Sequence, residues 1–169
     1  MSGFLTSDHF WAATVFFDHA TSYMCTHLQR GQTHIESIEA KAAYELMEAT
    51  FVIRVKEFHT DNWIFAEEGF KSDVSNNKQT IRYCRVVSHF QNGIAEANIK
   101  QLTEKARTML IHAKHSWLEV IQPYLWPFAL NQVEFNLNNL RLGKSVKSSA
   151  KVFSAMHNKI NIRHYHTFG

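Results

Sequence analysis

The sequence predicts an α/β protein in which a mixed sheet is flanked by helices packed on its faces. Three observations carry that expectation. Short β-branched and aromatic runs alternate with helical periodicity through the first half of the chain. The second half is dominated by one long amphipathic stretch. The order strand, strand, helix, strand, helix, strand then fits a sheet with helices on both sides.

Taken in order, AATVFFDHA at 12–20 is apolar and β-branched, and SYMCTHLQ at 22–29 follows after a turn, so the pair reads as a β-hairpin. From Thr33 to Thr50, Ile35, Ile38, Ala42, Leu46 and Ala49 recur at helical spacing. Glu36, Glu39, Lys41 and Glu45 fall between them, which makes those apolar residues the expected buried stripe. FVIRVKEFH at 51–59 is expected to be a strand running into Thr60 and Asp61, with Val52, Ile53 and Val55 as its apolar residues. A short helix is expected from Ala66 to Val74, then a strand in QTIRYCRVV at 79–87. Residues 92–115 place Ile99, Leu102, Ala106, Met109, Leu110 and Ala113 on one stripe of a long helix. Residues 117–140 read as a second helix interrupted at Pro123 and Pro127.

Length and composition set outer limits. The 169 residues suit one domain with a sizeable core. At 45% hydrophobic and 20% charged, the chain reads as globular rather than disordered. No apolar run is long enough to span a membrane, and MSGFLTSDHFWAATVFF lacks the form of a signal peptide. The two cysteines, Cys25 and Cys84, have no metal-ligand spacing and suit a reduced, intracellular protein with structural thiols. The net charge of +3 is uneven: from Arg141 onward there are six basic and no acidic residues, leaving 12 basic and 15 acidic before it. We therefore divide the chain into a body, 1–140, and a basic C-terminal extension, 141–169. Such an extension suits phosphate binding, or serves simply to solubilise.

Three carboxylates stand where a hard-oxygen metal site could form: Asp18 on the first strand, Asp61 at a strand end, and Glu96 near the start of the long helix. By spacing alone these are three among fifteen acidic residues, and a solvated charge is the more ordinary role. Glu96, Lys100, Thr103 and Arg107 follow at steps of four, three and four, so they share one helix face. On that face a carboxylate sits above two cations placed to meet DNA phosphates. The competing role is a simple Glu96–Lys100 ion pair at i, i+4. His59 and His89 could line the same cleft. Trp126, Phe128 and Phe135 suit a core or dimer face better than a base-stacking platform. No Gly-x-Ser-x-Gly turn or phosphate-cradling glycine loop is present, which removes serine hydrolases and nucleotide binders.

The local motifs are more specific. FHTDN at 58–62, HFQNGIAEANIKQLTEKARTML at 89–110 and LWPFAL at 125–130 resemble copia-type retrotransposon integrases. So do TVFFDHAT at 14–21 and KSSAKVFS at 147–154, and all occur in the family's order. The resemblance implies a ribonuclease-H-like catalytic core that cuts and joins DNA using Mg²⁺ or Mn²⁺ held by two aspartates and a glutamate. Asp61 and Glu96 match the second aspartate and the glutamate as catalytic, metal-binding residues, with thirty-four residues between them. The first aspartate of the family lies on a strand upstream of the one matching TVFFDHAT. The chain is therefore expected to be an N-terminally truncated copy lacking the first, central strand, with Asp18 as a substitute ligand the less favoured alternative.

Trp63 stands where the family usually has glycine, and Ala97 where it has a basic residue. The resemblance further implies DNA as partner, Lys100, Arg107, Lys144, Lys147 and Lys151 as DNA contacts, a homo-oligomer, and a nuclear location in a eukaryotic host. Two rivals remain open: a non-enzymatic nucleic-acid-binding remnant of a retrotransposon polyprotein, and a poorly folding relic.

Overall fold

In the computed structural model, residues 9–60, 64–83, 93–117, 122–140 and 147–154 are described. The hairpin forms as expected: β1 (Ala12–Phe17) pairs antiparallel with β2 (Met24–Gln29), with Ala12 opposite Gln29 and Phe17 opposite Met24. Asp18 shapes the turn. Its carboxylate accepts the Thr21 N–H at 2.7 Å and the Thr21 hydroxyl at 2.5 Å, while its own N–H donates to the Tyr23 carbonyl at 2.8 Å. Side chains alternate between the two faces of the hairpin. Phe16 stacks on Tyr44 of the first helix at 4.6 Å, whereas Val15 and Phe17 pack into the core on the other side.

Helix α1 (His34–Ala49) starts at Thr33, whose hydroxyl accepts the Glu36 N–H at 3.3 Å. Glu36 reaches back to accept the Arg30 N–H at 3.0 Å, so the helix start is tied to the end of β2. The expected buried stripe is corrected here. Ile35, Ala42, Leu46 and Ala49 are exposed, Leu46 to 72%, and Ile38 is half-buried. The helix instead buries Ser37, Ala40, Lys41, Tyr44 and Glu48. Lys41 makes this possible. It is 1% exposed, and its ammonium meets Glu45 at 3.0 Å and Asp73 at 2.8 Å while sitting 5.6 Å from the centre of the Phe58 ring. One charge thus joins three elements, and burying it is tolerable because two carboxylates and a ring face compensate its lost hydration.

The next strand begins later than expected. Val52 and Ile53 are not part of it: Val52 has φ +60° and is 95% exposed. Its N–H donates to Ala49 and that of Ile53 to Glu48. This pair of bonds is a Schellman ending for α1, with a valine in the left-handed position that glycine usually fills. Strand β3 (Glu57–Thr60) then pairs in parallel with β4 (Thr80–Tyr83), Glu57 opposite Thr80. Between them lie a 3-10 turn (Ile64–Ala66) and α2 (Glu68–Asn76). Gly69 lets α2 approach α1, because a Cβ there would lie 2.6 Å from the His34 ring. The end of α2 repeats the Schellman pattern, with Lys78 at φ +55°. Of the expected strand at 79–87, the part beyond Tyr83 lies outside the described residues, with Cys84.

The long helix α3 (Gly93–Ser116) forms with its stripe inward: Leu102, Ala106 and Ala113 are buried, and Ile99, Met109 and Leu110 half-buried. Of the second long stretch, 118–121 fall outside the described residues; a 3-10 turn (Pro123–Leu125) leads into α4 (Trp126–Leu140). Pro127 does not interrupt α4 but lies in its first turn, where the missing N–H costs nothing. The core gathers Ala13 and Met24 of the hairpin, Leu102 and Ala106 of α3, and Ala129, Leu130 and Val133 of α4. The buried Asn138 fixes α4 to β2 by accepting the Met24 N–H at 2.9 Å and donating to the Met24 carbonyl at 2.6 Å. Phe128 and Phe135 are exposed, and Trp126 packs beside the core.

A last short helix, α5 (Ser149–Phe153), is capped by Ser148. It seats Phe153 against Tyr23, with ring centres 4.3 Å apart, and Phe51, at 5.6 Å. Among the described residues the strands thus form two two-stranded sheets, one antiparallel and one parallel, with helices packed around them. No described helix is long and apolar enough to cross a membrane.

Candidate functional site

One cavity of about 660 Å³ organises the residues singled out by sequence. Residues 14–19, from β1 and its turn, line one side and residues 53–60, ending in β3, the other. Tyr44 and Glu48 of α1 and Ala95 and Ile99 of α3 complete the lining. Strand β3 ends at Thr60, the residue before Asp61, and Ala95 is the residue before Glu96. The backbone positions leading to both carboxylates therefore border the same opening. Asp61 itself lies outside the described residues, as do Asn62, Trp63, His89 and Lys144.

Glu96 sits exposed in the first turn of α3, where a negative charge is favoured by the helix dipole. The expected alternative, an ion pair with Lys100, does not form. Lys100 reaches forward to Glu104 at 3.8 Å and is largely exposed, a geometry worth little energetically. The Glu96 side chain has no ion pair or hydrogen bond with any described residue. Thr103 points its hydroxyl back to the Ile99 carbonyl at 2.6 Å. Arg107 and Ala97 are exposed. Glu96, Lys100 and Arg107 thus share a solvent-facing strip about 17 Å long at 1.5 Å per residue. Lys147 is exposed just before α5, and Lys151 is half-buried within it.

Asp18 borders the cavity, but one carboxylate oxygen takes both Thr21 donors, so the turn accounts for it. His19 and His59 are exposed and line the same cavity. Among the described residues, no three His, Cys, Asp or Glu side chains come together in a way that could hold a metal ion. The donor chemistry of Glu96 suits Mg²⁺ or Mn²⁺, both of which favour carboxylate oxygen.

Sequence reasoning missed Tyr44 and Glu48. Burial pushes the Glu48 carboxyl up from the ordinary glutamate range, the Tyr44 hydroxyl opposes that by hydrogen bonding, and Asp18 and Glu45 add to it. Burial likewise raises Tyr44, with Glu48 beside it as the next cause. Their i, i+4 spacing was the available signal, obscured by the apolar residues on the opposite face. Cys25 is half-buried, and burial with Glu134 and Glu48 nearby pushes its thiol up to about 12, as suits a structural thiol.

No protein-family model matches the chain. Solved structures do. The HTLV-2 integrase catalytic core domain in complex with magnesium, in a trimeric form, superposes with a TM-score of 0.63 at 14% identity, covering 90% of each chain. The simian T-cell lymphotropic virus intasome in complex with PP2A regulatory subunit B56 gamma gives 0.69 at 14% identity. That match covers 94% of this chain and 52% of the other, so this chain spans about half its length. The catalytic core domain of BIV integrase gives 0.57 at 14% identity, with 82% of each chain covered. At such low identity the likeness establishes the fold: this chain has the ribonuclease-H-like fold of integrase catalytic cores.

Proposed function

We propose that this chain is the catalytic-core protein of a copia-type integrase, acting in DNA integration by metal-dependent cutting and strand transfer. The reading is supported by the integrase-core fold together with the motifs FHTDN and QNGIAE, of which the described residues Phe58, His59, Thr60 and Ala95 line one opening. Asp61 and Glu96 are the proposed ligands. A divalent ion held there would activate a water or a DNA 3′-hydroxyl and stabilise the leaving oxygen. Lys100 and Arg107, along the exposed strip of α3, would hold the phosphates of DNA whose reactive end meets Glu96. Lys144, Lys147 and Lys151 would add phosphate contacts beyond the body. The exposed apolar residues of α1 and α4, Ile35, Leu46, Phe128 and Phe135, suit a contact between copies, and the HTLV-2 cores are described in trimeric and dimeric forms. A nuclear site of action follows from the substrate.

The second reading, a nucleic-acid-binding protein without catalysis, rests on the exposed Lys100 and Arg107 of α3, which need no metal to meet phosphate. One experiment separates the two. Nicking and strand transfer on labelled DNA with Mn²⁺ are compared for the natural chain and Asp61→Asn, beside DNA binding over a salt series. Activity lost in the variant supports the integrase. Metal-independent, steeply salt-dependent binding with no cutting supports the second reading. A broad, non-cooperative melt with neither property sinks both.

A further inference from the structure

The exposed side of α3 carries more cations than the motifs single out, and they are ordered. Lys114 lies 18 positions beyond Glu96. At about 3.6 residues per turn that is about five whole turns, so both stand at the same angle round the helix. Lys100, Arg107 and Lys114 follow one another at intervals of seven, and each such step rotates a straight helix by only about 20°. All three are exposed, while Leu102, Ala106 and Ala113 take the core side. The three cations therefore form a row about 21 Å long that starts one turn beyond Glu96.

Charge is graded along this row. Glu96, Lys100 and Glu104 alternate in sign through the first half of α3, whereas from Lys105 to Ser116 there are lysine, arginine and histidine but no acid. Lys100 and Glu104 lie 3.8 Å apart in an exposed pair, which a phosphate can displace at little cost. Arg107 and Lys114 make no ion pair with any described residue. The neighbours of Lys114 one turn away along α3 are Leu110, Ile111 and Trp117, so no acid of this helix neutralises its ammonium.

A lysine in the last turn of a helix ordinarily answers the negative end of the helix dipole. That role is open at any angle, and His115 occupies the same turn. It does not account for a cation in line with Lys100, Arg107 and Glu96. Lys105 supplies the contrast: it is exposed on the same helix but stands about half a turn round from Glu96, outside the row.

We infer that Lys114 is a third phosphate contact, and that one DNA duplex lies along α3 with its reactive end towards Glu96. The row from Lys100 to Lys114 matches about six base pairs of duplex at about 3.4 Å each. This rests on the DNA reading and extends it: Lys100 and Arg107 hold the DNA near its end, and Lys114 fixes the direction in which the duplex leaves.

The test measures the affinity of the full chain for a duplex of about twenty base pairs by fluorescence anisotropy, without divalent metal, between about 50 and 200 mM salt. Each phosphate contact steepens the fall of log affinity with log salt by about 0.9. Lys114→Gln is expected to flatten that slope by about 0.9 and to weaken binding about fivefold to tenfold at about 100 mM salt, as Lys100→Gln does. The double variant should flatten it by about 1.8, at one duplex per chain. Lys105→Gln should leave slope and affinity unchanged, and Lys114→Arg should keep the natural slope. A lysine that served only the helix dipole would shift the melting temperature and leave the slope alone. A natural slope in Lys114→Gln beside a flattened one in Lys100→Gln overturns the inference and leaves the DNA reading standing. Equal flattening by Lys105→Gln also overturns it, because the cations then act as a diffuse field and not as a row. Failure of the natural chain to bind DNA ends the DNA reading, and this inference with it.

Discussion

Replacing Lys41 tests which face of α1 the protein buries. The ammonium is enclosed by Glu45 and Asp73, whose side chains are about a quarter exposed, and lies over Phe58. Lys41→Ala removes the cation and leaves two carboxylates facing each other across a cavity. Breaking a buried pair in this way costs about 3–5 kcal/mol. Partial solvent access to both acids, and the Gln79 amide that also donates to Glu45 at 2.5 Å, place the expected loss near the lower end, about 3 kcal/mol. For a chain of this size that is a fall in Tm of about 6–12 °C. The paired variants Ile35→Ser and Leu46→Ser alter the face that sequence periodicity favours and should each shift stability by less than about 0.5 kcal/mol. Urea unfolding followed by circular dichroism measures all three. If Lys41→Ala is neutral and Leu46→Ser costs about 2 kcal/mol or more, the burial assigned to α1 is inverted and the reasoning fails.

Three further outcomes follow from single sites. Val52→Gly should stabilise the chain by about 0.5–1 kcal/mol in the same urea assay, because it relieves a left-handed valine that buries nothing; destabilisation would contradict the Schellman ending. Glu134 is raised by burial above its ordinary value of 4.5, although its bonds from Thr26 oppose the shift. The folded chain then holds that proton more tightly than the unfolded one. Its contribution is fully present below pH 4.5 and is lost as pH rises through the folded value. Glu134→Gln should therefore flatten the decline in stability above pH 4.5, and an unchanged pH profile would refute the assignment. Cys25, with its thiol at about 12, should react with iodoacetamide at pH 8 far more slowly than a model thiol in the folded chain and at an ordinary rate in urea; fast labelling of the native protein would contradict its burial.

Several elements were legible because their signals are local. The hairpin follows from β-branched runs around a turn, and Asp18 and Thr21 supply the turn's own bonds. The long α3 follows from an uninterrupted stripe that does face the core. The strip of Glu96, Lys100 and Arg107 is likewise a consequence of helical spacing, and its exposure was predictable from the stripe opposite. The failures have physical causes too. Val52 and Ile53 carry strand propensity, but two main-chain bonds closing α1 outweigh it, and no glycine marks the place. Pro127 reads as an interruption until its position in the first turn of α4 is known.

What the sequence alone determined is the class of fold, the order of its elements and the residue types at the opening: these depend on periodicity, turn chemistry and motifs within a few tens of residues. Only the tertiary structure decided which face of α1 is buried, which main-chain groups of β2 are capped and that Glu48 borders the cavity. Lys41 is an interior residue only because Glu45, Asp73 and Phe58 converge on it, and Asp73 and Phe58 lie on other elements. The main-chain groups of Met24 and the N–H of Thr26 on the outer edge of β2 are capped only because Asn138 and Glu134 arrive from more than a hundred residues away. Burial and hydrogen-bond satisfaction are properties of neighbours in space, and a chain read in one dimension names those neighbours only where they are also neighbours in sequence.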